Sequence, residues 1–366
     1  MSEQETAEAP PVGDASTALE LFSIAGSLGS TLDLDYLLEK IGLAAERLLD
    51  SEASSIMLVT DDKKSLYFKV AGGEVGSKLK KMTLPIGQGI AGWVAQHRQP
   101  EVVVDTSKDP RFAGRFDKAS GFVTRSLLAV PMVFRGELVG VAEVLNKRRG
   151  LYTPEDTTLL SSLANLAAVA ISNARIVQDQ KNFFSHVLEL LVASIESARP
   201  RLLGHPHRSA RLACAIARAL GFEEYDYRMV YYAGLLHDIG YVAFRNPRLL
   251  ADIGVSSPAD EQHPLFSEKM LEGIRMLEGA IPIVRHHHEA FDGTGYPGKL
   301  AGTAIPRGAR VLALVESVEE LRMAGLDGAE LVEHAKKEIS SGRGSRFDPE
   351  VVDAALELLG SEDGTW

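Results

Sequence analysis

The chain has 366 residues, 45% of them hydrophobic and 24% charged, and a net charge of -11 at pH 7. That length favours two domains over one, each with enough apolar content for an ordinary core. The acidic balance excludes a general binder of nucleic-acid polymers, which needs a basic face, but leaves room for a local site that holds a small phosphate.

The one cysteine, Cys214, excludes an intrachain disulfide framework, and its Ala- and Leu-rich surroundings read as a small buried filler. The N-terminus is acidic without an apolar h-region, and no uninterrupted apolar stretch reaches spanning length. A soluble, cytoplasmic protein with no membrane partner is therefore expected. Residues 1–15 are polar and Pro-bearing, the composition of a disordered tail.

A helix is expected from Ser16 to Gly26 and a second from Leu34 to Leu49, with Leu37, Leu38, Ile41 and Ala44 at helical spacing. The period then changes. Ala53–Thr60 and Leu66–Val70 read as a hairpin across Asp61–Lys64, followed by strands at Thr83–Pro85, Glu101–Val104, Ser126–Phe134 and Leu138–Asn146. Phe134-Arg135-Gly136-Glu137 makes a tight turn between the last two, and Gly87–Gln96 is a short inserted helix. One antiparallel sheet flanked by helices is an α+β domain. From Pro154 the pattern is helical again. Leu159, Leu160, Leu163, Leu166 and Ala170 form a stripe that Ile176, Phe183, Val187, Leu190, Leu191 and Ile195 continue, up to Pro200. This is either two helices with a break near Gln178–Lys181 or one signalling helix of about forty residues that pairs with its copy in a homodimer.

Between about Thr17 and Asn173 the residues resemble a GAF domain. The markers are Gly87-Gln88-Gly89-Ile90-Ala91-Gly92, Asp105 with Asp109–Phe112, Ser126–Pro131 and Gly136–Val141. Asn146, Lys147, Tyr152 and Asp156 are similar to the NKxnFxxxD motif of cyclic-nucleotide-binding members, with Tyr in place of Phe. The resemblance implies a pocket for a small ligand whose identity the fold does not set.

After Pro200 each of several helical segments carries a histidine or carboxylate toward the core. His205 opens a helix before Pro206, and His237-Asp238 ends one with Val230, Ala233 and Leu236 on its stripe. His263 begins another, with Phe266, Met270, Ile274 and Leu277 on one face. His287 and His288 follow Ile283 and Val284 at four-residue spacing. Glu316 interrupts Val311–Val318, where burying an acid is costly without a partner. Mixed imidazole and carboxylate donors suit Fe or Mn best, with Zn, Ni or Mg as alternatives.

His237-Asp238-Ile239-Gly240 resembles the HD motif of metal-dependent phosphohydrolases. His287-His288-Glu289 with Asp292-Gly293-Thr294-Gly295-Tyr296-Pro297 and Ile305-Pro306 resembles the signature run of HD-GYP domains. The resemblance implies an all-α domain and a cyclic di-GMP phosphodiesterase. It implies two metals held by His205, His237, Asp238, His263, His287, His288 and Glu316, with Asp238 bridging. Asp292, Gly293, Gly295, Tyr296 and Pro297 then form the loop that shapes the site and docks a partner such as a GGDEF-type protein. Arg208 and Arg310 are either phosphate contacts or helix braces; Asp238, Tyr241 and Arg310 are the catalytic candidates. The resulting division is 16–175 for the sensor, 155–198 for the connecting helix and 199–366 for the metal domain.

The chain departs from that family at Tyr241, where a lysine normally meets the scissile phosphate. Tyrosine donates one hydrogen bond but carries no charge near neutral pH. Losing such a contact costs roughly 3–4 kcal/mol. Arg245 and Arg248 are candidate replacements. Glu316 stands for the usual Asp, and Arg201 for an acidic ligand of three-metal members, which favours two metals. Two readings follow: a GAF-regulated cyclic dinucleotide phosphodiesterase, or a metal-binding pseudo-enzyme that senses a ligand or docks a partner.

Overall fold

The computed structural model describes residues 34–71, 79, 82–112, 114–244 and 246–360. The expected tail 1–15, the expected helix Ser16–Gly26 and Arg245 lie outside the described residues. The chain divides into two compact units, residues 1–181 and 182–366.

In the first unit, β1 (Ser51–Val59), β2 (Ser65–Ala71), β3 (Thr83–Pro85), β4 (Glu101–Val103), β5 (Leu127–Phe134) and β6 (Glu137–Lys147) form one antiparallel sheet of order β3-β2-β1-β6-β5-β4. The period-2 alternation of β1 divides its side chains between the two faces. Ile56 and Leu58 pack with Leu38 and Ile41 of α1 (Leu34–Leu48), and with Leu160, Leu163 and Ile171 further along the chain. Met57 and Val59 point the other way, against Ile90 and Val94 of α2 (Gly89–His97). Because both faces are covered, the central strands read as near-continuous apolar runs. The Phe134–Glu137 turn holds Arg135 and Gly136 at φ 50° and 81°, the left-handed pair that matches strand twist in a two-residue hairpin. A short α3 (Arg115–Ser120) precedes β5.

The connecting segment is one helix, α4 (Pro154–Ala198, 45 residues), and it runs through 178–181 without a break. Thr153 and Asp156 cap its start reciprocally: Thr153 N donates to Asp156 Oδ2 at 2.8 Å and Asp156 N to Thr153 Oγ1 at 3.2 Å. The single stripe expected along it divides. Leu188, Val192 and Ile195 are buried, whereas Ile176, Phe183 and Leu190 are exposed. By length and composition α4 is also apolar enough to cross a membrane, with a window of mean hydropathy 1.3, of which 39% is buried. That qualifies the expectation that no such stretch exists; Leu160, Leu163, Ala167 and Ile171 spend their apolar surface on the sheet core.

The second unit is helical: α5 (His205–Ala219), α6 (Glu224–Leu236), α7 (Gly240–Ala243), α8 (Pro247–Ile253), α9 (His263–Leu271), α10 (Ile281–Arg285), α11 (Arg307–Met323), α12 (Gly328–Ser341) and α13 (Pro349–Gly360). Its core joins Ile216 of α5, Val230 and Ala233 of α6, Val311, Leu314 and Val315 of α11, and Val352 of α13. Two expected helices are shorter than their apolar spacing predicts. α9 ends at Leu271, so Ile274 and Leu277 belong to a separate turn. α10 stops at Arg285, so His287 and His288 sit in the turn after it.

Candidate metal centre

Most of the histidines and acids singled out in the sequence sit at helix ends. His205 and His263 are the first residues of α5 and α9, each followed by a proline that needs no N–H partner there. His237 and Asp238 follow α6, and Glu316 alone sits within a helix, on the buried side of α11. Gly240 lets α7 approach α9. A Cβ there would lie 2.1 Å from the His263 carbonyl oxygen and 2.8 Å from Ser267 N. Ser267 Oγ ties the crossing by accepting from Gly240 N at 2.8 Å and donating to the His237 carbonyl at 2.7 Å.

These side chains meet as two triads, His205–His237–Glu316 and His263–His287–His288, all buried except half-buried His288, and each able to hold a metal ion. In the first, His205 Nε2 is 3.0 Å from His237 Nε2, and Glu316 Oε1 is 3.2 Å from His237 Nε2 and 3.5 Å from His205 Nε2. In the second, His263 Nε2 is 3.2 Å from His287 Nε2. Asp238 stands between them. Its Oδ1 is 3.2 Å from His263 Nε2, and its Oδ2 is 3.7 Å and 3.8 Å from the Nε2 atoms of His237 and His205.

The outer nitrogens fix the tautomers. Nδ1 of His237, His263 and His287 donates to the carbonyls of Gly234, Asp260 and Val284 at 2.9, 2.6 and 2.6 Å, which leaves each Nε2 lone pair aimed inward. His205 Nδ1 is buried without a hydrogen bond, 3.5 Å from Glu319 Oε2. Inward lone pairs at about 3 Å repel one another unless a cation lies between them, so the donor set fits a divalent transition metal.

Burial pushes His237 down and Asp238 and Glu316 up, but their mutual attraction outweighs it. His237 rises to about 10, so a proton on its Nε2 takes the place of the cation until a metal displaces it, and both carboxyls stay well below the usual range, held by His237 and the neighbouring imidazoles. His287 and His288 go the other way. Burial and then adjacent imidazoles drive His287 well below its ordinary value and His288 down to about 4, the neutral state a metal needs.

A cavity of about 340 Å³ opens beside the second triad, lined by His287, His288, Tyr296, Glu316, Glu320 and Arg346 among others. Tyr296 stacks on His288 at 4.8 Å. The loop carrying it is held by buried Glu289, which accepts from Gly298 N at 2.6 Å and Leu300 N at 3.1 Å. Gly295 is obligatory within it, since a Cβ would come within 2.2 Å of Ala290 N. Asp292 Oδ1 closes an exposed turn on Thr294 N and Oγ1, and Gly293 adopts φ 85°. Pro297 follows Tyr296 through a cis bond.

Tyr241 stacks on His263, with centroids 4.4 Å apart, and the Arg199 guanidinium lies 4.1 Å above its other face. Burial raises its hydroxyl above the ordinary phenol value. Arg199 is anchored on Asp260 at 2.6 Å, the residue whose carbonyl holds His263.

Of the two roles open to Arg310 and Arg208, both residues make the bracing contacts. Arg310 is a brace: its Nη1 pairs with Asp348 and its Nε donates to the Ile305 carbonyl at 3.1 Å, so its guanidinium is committed away from the triads. Arg208 likewise braces, donating to Glu319 Oε2 at 2.9 Å. Arg248 is exposed, and its backbone N–H goes to the Asn246 cap. Sequence reasoning missed Glu319, one helical turn beyond Glu316 on the same face of α11, as well as Arg199 and Arg346. Helical spacing could have found the first; the other two arrive from distant segments.

In the first unit, Asn146 uses its whole amide. Its Oδ1 accepts from Arg125 N and Ser126 N at 2.6 and 3.2 Å, and its Nδ2 donates to Glu52 Oε2 and the Val123 carbonyl, both at 2.8 Å. Lys147 pairs with Asp156, and the Tyr152 hydroxyl meets Ser51 Oγ at 3.0 Å. The motif therefore latches the end of β6 to the start of α4.

Fold and site together define an α+β domain followed by a helical domain with a His/carboxylate cluster able to hold metal. A family model of the GAF domain matches residues 33–171, and one of the HD domain matches residues 189–351. The chain is a GAF domain joined to an HD domain. It is 31% identical over 175 residues to a dual 3',5'-cyclic-AMP and -GMP phosphodiesterase 11A of Takifugu rubripes, covering 45% of this chain and 19% of that protein. It is 32% identical over 155 residues to the cyclic di-GMP phosphodiesterase response regulator RpfG of Xanthomonas campestris pv. campestris, covering 41% of each. The chain thus spans from about a fifth to two fifths of these relatives. Among solved structures, the GAF domain of a Coxiella burnetii phosphoenolpyruvate-protein phosphotransferase matches at 19% identity and TM-score 0.42, over 46% of this chain and 99% of that one. A GAF domain/HD domain protein from Geobacter sulfurreducens matches at 18% identity and TM-score 0.35, over 41% of this chain and 98% of that one.

Proposed function

We propose that the HD domain is a metal-dependent phosphodiesterase that opens a cyclic dinucleotide, cyclic di-GMP to pGpG and GMP, under control of the GAF domain, in bacterial second-messenger signalling in the cytoplasm. The observation that carries this reading is Asp238, whose two carboxylate oxygens face different triads as a bridging ligand of a two-metal site would. His205, His237 and Glu316 would hold one ion and His263, His287 and His288 the other, Fe or Mn by the chemistry of the donors. Bound there, the pair would supply Lewis acidity toward the phosphate oxygens and acidify a water.

Arg346 is the basic side chain lining the adjacent cavity among the described residues, so it is the group we assign to the non-bridging phosphate oxygens. Its present partners, Glu320 and Glu338, each 3.2 Å away, are exposed and can be exchanged for a phosphate at little cost. The loop at Asp292–Pro297 is the surface we assign to a GGDEF-type or other signalling partner. Ile176, Phe183 and Leu190, exposed at seven-residue spacing on α4, fit a parallel homodimer. The pseudo-enzyme reading draws on Tyr241, which puts an uncharged ring where the related domains place a lysine. Incubating the Mn(II)- or Fe(II)-loaded protein separately with cyclic di-GMP, cyclic GMP and cyclic AMP tests both readings. Linear pGpG from the first alone supports the proposal. Product only from a mononucleotide would reassign the substrate, and bound metal without product would favour the pseudo-enzyme.

A further inference from the structure

The GAF unit encloses a cavity of about 320 Å³ between the α2-covered face of the sheet and α2 and α3, the size of a small-molecule site. Phe68, Phe112, Phe116 and Phe122 supply aromatic walls, with Phe68 and Phe116 edge to face at 5.1 Å. The polar lining is one-signed: Glu46, Glu52, Asp117 and Glu143 line the cavity, and among the described residues no Lys, Arg or His does.

The four acids differ in what they have left to offer. Asp117 spends both oxygens on Thr124, at 2.7 and 2.8 Å. Glu52 is taken by Arg125 at 2.5 Å and Asn146 at 2.8 Å, and Glu46 accepts from Ser54 Oγ at 2.8 Å. Glu143, in the middle of β6, accepts only from Ser55 Oγ at 2.9 Å, through Oε2. Its other oxygen has no partner among the described residues, and the side chain is nine-tenths buried. Burial pushes the carboxyl up to about 7, the behaviour of an acid without a counter-cation.

Among the described residues, a phosphate-bearing ligand meets the wrong sign here. The start of α2, where Gly89–Ala91 border the cavity, offers at most about half a positive charge, and the Gln88 side chain makes no capping hydrogen bond there. Against that stand Glu46, Asp117 and Glu143, none paired with a cation among the described residues (Glu52 is neutralised by Arg125), in a partly desolvated space where Coulomb terms are strong. We propose that this pocket takes a planar aromatic molecule without phosphate, bearing a cationic or strongly hydrogen-bond-donating edge that pairs with Glu143. The phenylalanines hold the ring and Glu143 selects the charge. The inference is independent of what the HD domain hydrolyses.

An isosteric series tests it on the full chain without added metal: 2-naphthamidine, 2-naphthamide and 2-naphthoate, titrated by calorimetry, with cyclic GMP as a competitor. The amidine should bind at least tenfold more tightly than the amide and the carboxylate. Glu143→Gln should erase that preference while leaving amide binding in place, which also shows that the variant is folded. Displacement of the amidine by cyclic GMP, equal or tighter binding of the carboxylate, a preference unchanged in Glu143→Gln, or no binding by any member at millimolar concentration would each overturn the proposal.

Discussion

Replacing Glu143 with glutamine keeps the shape and the Ser55 hydrogen bond but removes the titration. The carboxyl moves from an ordinary 4.5 to about 7 on burial in the folded GAF domain. The folded state therefore holds the proton more tightly than the unfolded chain. The contribution of Glu143 to wild-type stability is greatest below about 4.5, falls as pH rises toward 7, and is flat beyond. At about 1.4 kcal/mol per tenfold difference in proton affinity, the loss is roughly 3 kcal/mol. That is an upper figure, because the cavity admits water to one carboxyl oxygen. The glutamine variant should match wild type at or below about pH 4 and exceed it by up to about 3 kcal/mol at pH 8. Urea unfolding followed by Trp93 fluorescence in a Trp366→Phe background reads the GAF transition separately from the HD domain. Parallel pH profiles for the two proteins would mean that Glu143 is fully solvated, and the account of its burial would be wrong.

Other consequences are equally direct. Gly240→Ala should destabilise the HD domain by about 3 kcal/mol, since its Cβ meets the backbone of α9 at 2.1 Å; an unchanged melting temperature would refute the crossing geometry. Arg199→Ala removes the guanidinium over Tyr241 and the Asp260 anchor, and should lower kcat about tenfold with metal content retained. Loss of metal in that variant would mean that Arg199 acts on His263 itself. Tyr241→Lys should raise turnover by roughly 10² if the missing cation limits it; no gain would place the limit elsewhere. Phe183→Glu, at a position 72% exposed, should leave melting unchanged and convert a dimer to a monomer by light scattering, whereas a persistent dimer would exclude α4 as the interface.

The sequence was most legible where a local pattern carries the information. Strand alternation and the Arg135-Gly136 turn put β1, β5 and β6 in place. The clustering of His205, His237, Asp238, His263, His287, His288 and Glu316 followed from apolar spacing together with the HD and GYP strings. It was less legible where long-range packing decides. Spacing alone made α9 and α10 longer than they are: Gly273, at φ 82°, ends the first just past Glu272, while Pro282 lies in the first turn of the second and nothing in its apolar spacing marks the stop at Arg285. Whether Arg310 is a phosphate contact or a brace was open in the sequence, because its partner Asp348 lies 38 residues away. Arg199 and Arg346 lie far in sequence from Tyr241 and His288, so nothing local marks them as neighbours of the site. The one-signed lining of the GAF pocket is scattered over α1, β1, α3 and β6, and only the fold assembles it.

The proposed phosphodiesterase needs a two-ion centre that performs hydrolysis. Titrating the metal-stripped protein with Mn(II) while following cleavage of cyclic di-GMP tests it most directly. Activity should climb to a plateau at two equivalents per chain, and Asp238→Asn should abolish it. A plateau at one equivalent, or cleavage that survives in Asp238→Asn, would contradict the bridged two-metal site.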